Sequence, residues 1–199
     1  MVFNMNDLED TILFFRKFLR HGLHIASAVP SSRYLARAAM HGIDWNHARV
    51  ILELGAGTGP LTAAIVARAR PECKIIAIER DEDFIHVLRR RFSHHHNVEI
   101  VHGSVADIED ILSKRGITKV DNVVSGLPLP SFPREMQTQL FRDLRKVLSP
   151  EGTFNQITEV PLLFRSFYRI FFKDVKFVFE PRNIPPGGVY ICRNFRQTQ

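Results

Sequence analysis

The chain has 199 residues, 45% hydrophobic and 24% charged, the balance of a folded globular domain with room for a sizeable core. Two cysteines, Cys73 and Cys192, are too few for a disulfide framework and are expected to be reduced and structural; no apolar run approaches the length of a membrane span. A net charge of +6 and a pI near 9.7 point to an anionic partner, either nucleic acid or a membrane surface.

Asp7, Glu9 and Asp10 come before the apolar stretch of the N-terminus, so the start of the chain does not read as a secretory signal and a cytoplasmic location is expected. Leu8, Ile12, Phe15, Leu19 and Leu23 then recur at helical spacing, with Phe14 and Phe18 widening the stripe and Arg16, Lys17 and Arg20 opposite. Such a helix either packs on its own domain or lies in a membrane interface with its phenylalanines down. Pro30 breaks it, and Ser31 or Ser32 caps a second helix expected over 33–40 and ended by Gly42. Residues 1–42 thus read as an N-terminal helical segment, a membrane contact or substrate lid, ahead of a main domain over 43–199.

The stretch Val50 to Thr62 organises that domain. Val50 to Leu54 is a short apolar run expected as a buried parallel strand, and Gly55-Ala56-Gly57-Thr58-Gly59 turns it into a helix over 61–68, with Pro60 at its start. A strand that feeds a helix through such a turn makes a nucleotide-sized crevice at the carboxyl edge of a sheet. Glu53 lies inside the apolar strand, where a carboxylate is costly unless it has a donor or ligand to hold. A second strand over 74–79 ends in Glu79, placed to accept from the hydroxyls of a ribose.

Further along, a helix is expected over 83–92 and strands over 98–102, 120–125 and 153–157. A helix over 136–148 precedes the last of these. His94, His95 and His96 are neighbours in a turn and do not converge on one ion, so no metal site is expected. Gly126 to Pro133 holds three prolines and reads as a stiff wall of the crevice. Phe164, Phe167, Phe171, Phe172, Phe177 and Phe179 interleave with Arg165, Arg169, Lys173 and Lys176. That mixture also describes single-stranded nucleic-acid platforms, although a helical phenylalanine stripe is more often core or membrane-facing. Strands over 175–180 and 189–193 close the chain as an antiparallel pair, with a stiff loop at 182–188 between them.

Glu53-x-Gly55-x-Gly57-x-Gly59 resembles the first motif of the class I S-adenosylmethionine-dependent methyltransferases. Together with the amphipathic leader, Pro30-Ser31-Ser32, Ser125-Gly126-Leu127-Pro128-Leu129 and Asn183-Ile184-Pro185-Pro186, it is similar to the bacterial phospholipid (phosphatidylethanolamine) N-methyltransferases, which are related to the rRNA adenine dimethyltransferases. The resemblance implies a Rossmann-like α/β fold with a seven-stranded, mostly parallel sheet and helices on both faces. It implies S-adenosylmethionine as cofactor, S-adenosylhomocysteine as product, and methyl transfer to the amine of a phosphatidylethanolamine-type lipid at the inner face of the cytoplasmic membrane. Ser31, Glu53, Gly55, Ala56, Gly57, Thr58, Gly59, Glu79, Arg80, Ser104 and Val105 are the implied cofactor residues. Many relatives carry Asp where this chain has Ser104, and Asp107 is the nearby alternative for the adenine contact.

Tyr34, Ser125, Gly126 and Leu127 are candidates at the reacting amine, and Arg33 and Arg182 at the lipid phosphate. The implied partners are an anionic membrane surface and its phospholipid, with no obligate protein partner evident. An RNA adenine N-methyltransferase is the alternative. It is opposed by Ser125-Gly126-Leu127-Pro128, which lacks the polar amide and stacking aromatic of that class. A non-catalytic domain on the same fold is a third reading.

Overall fold

The strands β1 (Val50–Leu54), β2 (Lys74–Glu79), β3 (Val98–His102), β4 (Val120–Ser125), β5 (Leu148–Thr158), β6 (Phe172–Glu180) and β7 (Gly187–Phe195) form one sheet in the order β3-β2-β1-β4-β5-β7-β6. The structure is a computed structural model that describes residues 31–159 and 163–197. The first five strands run parallel, and β7 lies antiparallel between β5 and β6. This is the Rossmann-like methyltransferase architecture that the sequence implies. The expected leader helix over 8–25 lies outside the described residues.

The central strands are apolar on both faces because both are covered. Helices α1 (Ser31–Ala38) and α2 (Pro60–Val66) sit on one face, over Ile51, Ile75, Val124, Val189 and Ile191. Helix α3 (Glu82–Arg91) lies on the same side, where Leu88 packs with Ala56 and Ala77. Helices α4 (Ile108–Ser113), α5 (Arg134–Val147) and α6 (Arg165–Phe171) close the other face over Leu52, Leu54, Ile76, Val123, Phe154 and Tyr190. Along β2, Ile75 and Ala77 point to the first layer while Ile76 and Ile78 point to the second, as the two-residue period of a strand requires.

Four boundaries move. The helix expected over 33–40 begins at Ser31 and ends at Ala38, and α4 has no counterpart among the expected elements. Strand β5 starts at Leu148, five residues before the expected Thr153, and takes in Pro150 and Gly152 across an irregular register opposite Val120 and Asn122. Gly152 makes this possible, since a Cβ there would run into the Asp121 carbonyl. Strand β6 likewise starts at Phe172, and β7 extends from Gly187 to Phe195.

The phenylalanine-rich stretch divides between α6 and β6 and mostly faces inward. Phe141 of α5 stacks on Phe171 at 3.9 Å and meets Phe154 and Phe172 edge-on at 5.7 and 5.8 Å. Tyr168, Phe154 and Phe172 are fully buried. These rings form a core under the sheet and are closed to a nucleic-acid base.

All the parallel strands end at one edge. Antiparallel pairing brings the start of β7 and the end of β6 to that edge too, since Gly188 pairs with Thr158 and Glu180 with Gly187. Leu35 of α1 meets Gly187 there, at 3.5 Å from the position a Cβ would take.

Candidate active site

The glycine loop closes over the ends of β1 and β2. Gly55, Gly57 and Gly59 have φ of +73°, +55° and +87°, a region that L side chains rarely adopt. The amides of Gly55 and Ala56 both donate to the Ile78 carbonyl, at 3.0 and 3.2 Å, which turns the chain back across β2. Gly59 caps α2 in the left-handed conformation and leaves no room for a side chain, because a Cβ would lie 2.9 Å from Leu88 Cδ2. Thr58 is half-buried beside it, and its carbonyl accepts from Arg91 at 2.8 Å.

Glu53 stands beneath this loop and is 0% exposed. Both of its carboxylate oxygens lack a hydrogen-bond partner, and so does Thr62 Oγ1 on α2, which is equally buried. Burial pushes the Glu53 carboxyl up to about 7; the nearby Thr62 hydroxyl and amide pull it down, and the Glu79 charge adds a smaller push upward. A buried carboxylate with no donor is a site for a cation or an N–H ligand. The ammonium of an amino-acid cofactor fits that requirement.

Glu79 ends β2, buried, and braces the loop. Its Oε2 accepts from the Gly57 amide at 2.8 Å, and Oε1 accepts from Arg80 and Asp81 amides at 2.7 and 2.9 Å. A carboxylate has about four acceptor positions, so Oε2 retains one for a hydroxyl. Arg80 itself is exposed. At the end of β3, the Ser104 hydroxyl accepts from the Ala106 amide at 3.2 Å and starts a 3-10 turn over Val105–Asp107. Ser104 and Val105 are half-buried there, and Asp107 is exposed.

The loop after β4 lies against the glycine loop. The Gly126 amide donates to the Leu54 carbonyl at 3.0 Å, and a Cβ on Gly126 would stand 3.1 Å from the Gly55 carbonyl. Leu127 fills the space over Gly55, 2.9 Å from the Cβ position at its Cγ. The Ser125 hydroxyl is fully buried and accepts from the Leu127 amide at 3.3 Å. Two glutamines that sequence reasoning missed hold the rest. Gln156 on β5 donates to the Leu127 carbonyl at 2.8 Å, and Gln137 on α5 donates to the carbonyls of Leu129, Pro130 and Phe132 at 3.1, 3.2 and 2.8 Å. Gln156 Oε1 is buried without a partner.

Tyr34, Arg33 and Arg182 come together at the same edge, from α1 and from the turn after β6. Arg182 lies 4.6 Å from the Tyr34 ring centroid, and Arg33 lies 5.1 Å from it with a 3.4 Å hydrogen bond to the hydroxyl. Arg33 is the main cause of a lowered Tyr34 pKa. Glu180, not foreseen, grips Arg182: Oε1 accepts from Nε and Oε2 from Nη2, both at 2.7 Å. That pair holds the Glu180 carboxyl below its ordinary range. The only sequence sign was an acid closing a strand two residues before an arginine. Ser31 opens α1, one turn from Tyr34.

The arrangement is therefore a glycine cradle with two buried acids at the ends of β1 and β2, and an aromatic–cationic cluster along the same edge of the sheet. Residues 51–152 match the family model described as "Methyltransferase domain". An ornithine lipid N-methyltransferase from Singulisphaera acidiphila is 52% identical over 191 residues, covering 96% of this chain and 100% of that protein. A ribosomal RNA small subunit methyltransferase A from Mycoplasma mycoides is 33% identical over only 88 residues, 43% of this chain and 31% of that protein.

Among solved structures, a 1,6-didemethyltoxoflavin-N1-methyltransferase from Burkholderia thailandensis, crystallised with S-adenosylhomocysteine, shares the fold. Its TM-score is 0.71 at 14% identity, over 98% of this chain and 92% of that one. A phosphoethanolamine N-methyltransferase from Haemonchus contortus gives 0.70 at 11% identity, over 100% of this chain and 51% of that one. The chain is an S-adenosylmethionine-dependent methyltransferase of class I, and it belongs to the family that includes the Singulisphaera ornithine lipid N-methyltransferase.

Proposed function

We propose that the chain methylates the primary amine of an amino lipid, with an ornithine-headed lipid as its first substrate, at the inner face of the cytoplasmic membrane. The observation that carries this reading is the 52% identity to an ornithine lipid N-methyltransferase across that protein's whole length. Phosphatidylethanolamine is the second reading, supported by the Ser125-Gly126-Leu127-Pro128-Leu129 and Asn183-Ile184-Pro185-Pro186 stretches. The rRNA relatives match less than half of the chain, so RNA adenine is disfavoured.

S-adenosylmethionine, when bound, supplies a methyl group on a sulfonium, open to in-line displacement by a neutral amine. In this reading Glu53 and Thr62 hold its amino-acid end, Glu79 its ribose, and Ser104 with Val105 its adenine. Arg80 flanks the ribose, and the Gly55–Gly59 backbone cradles the rest. The Gly126–Leu127 backbone and Ser125 shape the wall against which the amine is aligned, since orientation supplies most of the rate in such a displacement. Tyr34 offers an aromatic face to the methylated ammonium. Arg33 and Arg182 hold the acidic part of the headgroup, a carboxylate in an ornithine lipid or a phosphate in phosphatidylethanolamine.

The test is methyl transfer from labelled S-adenosylmethionine to vesicles of ornithine lipid, to vesicles of phosphatidylethanolamine and to total RNA, in separate reactions. Label in the ornithine lipid, at a higher kcat/KM than in phosphatidylethanolamine, is the expected result. Label in RNA alone sinks the lipid reading.

A further inference from the structure

Four large hydrophobic residues stand exposed among the described residues: Leu163, Ile170, Phe179 and Ile184. Two of them, Ile184 and Phe179, belong to one edge of the molecule. Ile184 is 74% exposed in the turn that joins β6 to β7. Phe179, 53% exposed, precedes that turn, and pairs through Gly188 with Thr158 at the end of β5. Leu163, 63% exposed, leads into α6, and Ile170 lies within that helix. Phe177 packs on Tyr190 in the α6-side core at 4.9 Å between centroids, so Phe179, two residues on, emerges on that same face.

The turn is braced in a way that keeps Ile184 outside. Asn183 is buried and donates to the Pro185 carbonyl at 2.6 Å, while Glu180 fixes Arg182 on the other side. Pro185 and Pro186 are exposed beside Ile184. The neighbouring charges are mostly positive: Arg33 and Arg37 are exposed on α1 and Arg182 in the turn, all three around Tyr34. Two carboxylates stand against them among the described residues, Glu180, which Arg182 already neutralises, and Glu159 just past the end of β5. An apolar tip beside a cationic cluster, at the edge that carries the glycine loop, is complementary to an anionic bilayer, with its acyl boundary beneath a negative surface.

We propose that the β6–β7 tip is a membrane-docking element: Ile184 and Phe179 enter the acyl boundary of an anionic bilayer and turn the mouth of the active site toward the headgroups. The inference rests on the proposed action at a membrane surface and names the part of the molecule that would serve it. It places Tyr34 and Arg182 at headgroup depth, so that a lipid need not leave the bilayer to reach the cleft.

The test uses the full chain and sedimentation with vesicles of phosphatidylglycerol mixed with phosphatidylcholine, at two salt concentrations. Ile184→Asp should lower the partition constant by about tenfold or more, and Phe179→Asp should do the same, because each removes inserted apolar surface and adds a repelled charge. Ile184→Leu should bind as the parent does. S-adenosylmethionine affinity and melting temperature should be unchanged in Ile184→Asp, since the side chain it replaces is in water.

Vesicle binding by Ile184→Asp equal to the parent's overturns the proposal. So does a changed melting temperature or oligomeric state with vesicle binding intact, which would assign the patch to the chain's own N-terminal residues or to a second copy. Turnover of a short-chain, monomeric ornithine lipid separates the two readings. Loss of vesicle binding in the variant with no lipid methylated by the parent leaves the docking surface standing and removes the substrate.

Discussion

Glu180 and Arg182 form a two-point pair, with both carboxylate oxygens at 2.7 Å from guanidinium nitrogens, and the pair aims the guanidinium at the face of Tyr34. The acid is buried and the arginine exposed, so the cation is presented on a fixed mount. A long flexible side chain is thereby ordered before any ligand arrives, which lowers the entropic cost of binding.

Replacing Glu180 with Gln should therefore raise KM for the lipid by about tenfold and change kcat little, because the lost charge-assisted contact affects binding. Tyr34→Ala should do more than Tyr34→Phe, since the ring face and not the hydroxyl meets Arg182. Steady-state kinetics on vesicles checks both, and cofactor affinity should stay constant. Unchanged KM in Glu180→Gln and Tyr34→Ala would remove this cluster from substrate binding.

Glu53 titrates near 7 in the folded chain and near the ordinary carboxyl value when unfolded. Between those values the folded state holds a proton that the unfolded state has released, so stability is greatest at low pH and falls as pH rises through 7. Glu53→Gln removes that dependence. Relative to the parent it should gain about 3 kcal/mol between pH 4.5 and pH 8, at roughly 1.4 kcal/mol per unit of pKa. Urea unfolding across that range measures it. The same variant should bind S-adenosylmethionine more weakly at pH 8, where the parent's carboxylate is ionised.

Gly126→Ala places a methyl 3.1 Å from the Gly55 carbonyl, so the two loops must separate by a few tenths of an ångström. Alignment of amine and methyl is sensitive to such shifts. We expect kcat to fall by about tenfold or more, with the melting temperature nearly unchanged. Gly55→Ala should be worse in every respect, because φ is +73° and Leu127 occupies the space.

Phe141 is the hub of the aromatic core, buried and in contact with Phe154, Phe167, Tyr168, Phe171 and Phe172. Phe141→Ala should destabilise the fold by about 3–5 kcal/mol. Cofactor affinity extrapolated to the folded fraction should be intact, since this core lies on the face away from Glu53 and Thr62. Calorimetric titration and chemical denaturation of the same sample test both statements.

Much of this was legible in the sequence because local rules agree with the fold. The glycine spacing and Glu53 marked the crevice, since φ > 0 and a buried acid each leave a one-residue signature. Strands β1 to β4 were placed by short apolar runs, even with Glu53, Glu99, Asp121 and Asn122 inside them. Strand β5 begins earlier than its apolar pattern suggests because Pro150 and Gly152 usually stop a strand, and the need for Gly152 shows only in the approach of Asp121 across the sheet. The role of Glu180 depended on a tertiary meeting of α1 with the end of β6, which no local pattern encodes. Gln137 and Gln156 were missed for the same reason: a glutamine that satisfies loop carbonyls looks like any surface glutamine until its partners are known.

The seating of α1 has a practical side. Leu35, Ala36, Ala38, Ala39 and Met40 are buried in the same core as Ile51 and Ile191, so α1 is held at a fixed place beside Gly187, at the edge where the parallel strands end. A purification tag or fluorescent label is therefore better kept off the end of the chain that leads into α1. A reporter fused after Gln199 hangs from β7, whose last residue, Phe195, lies at the opposite edge of the sheet. Assays of lipid turnover are better built on that end.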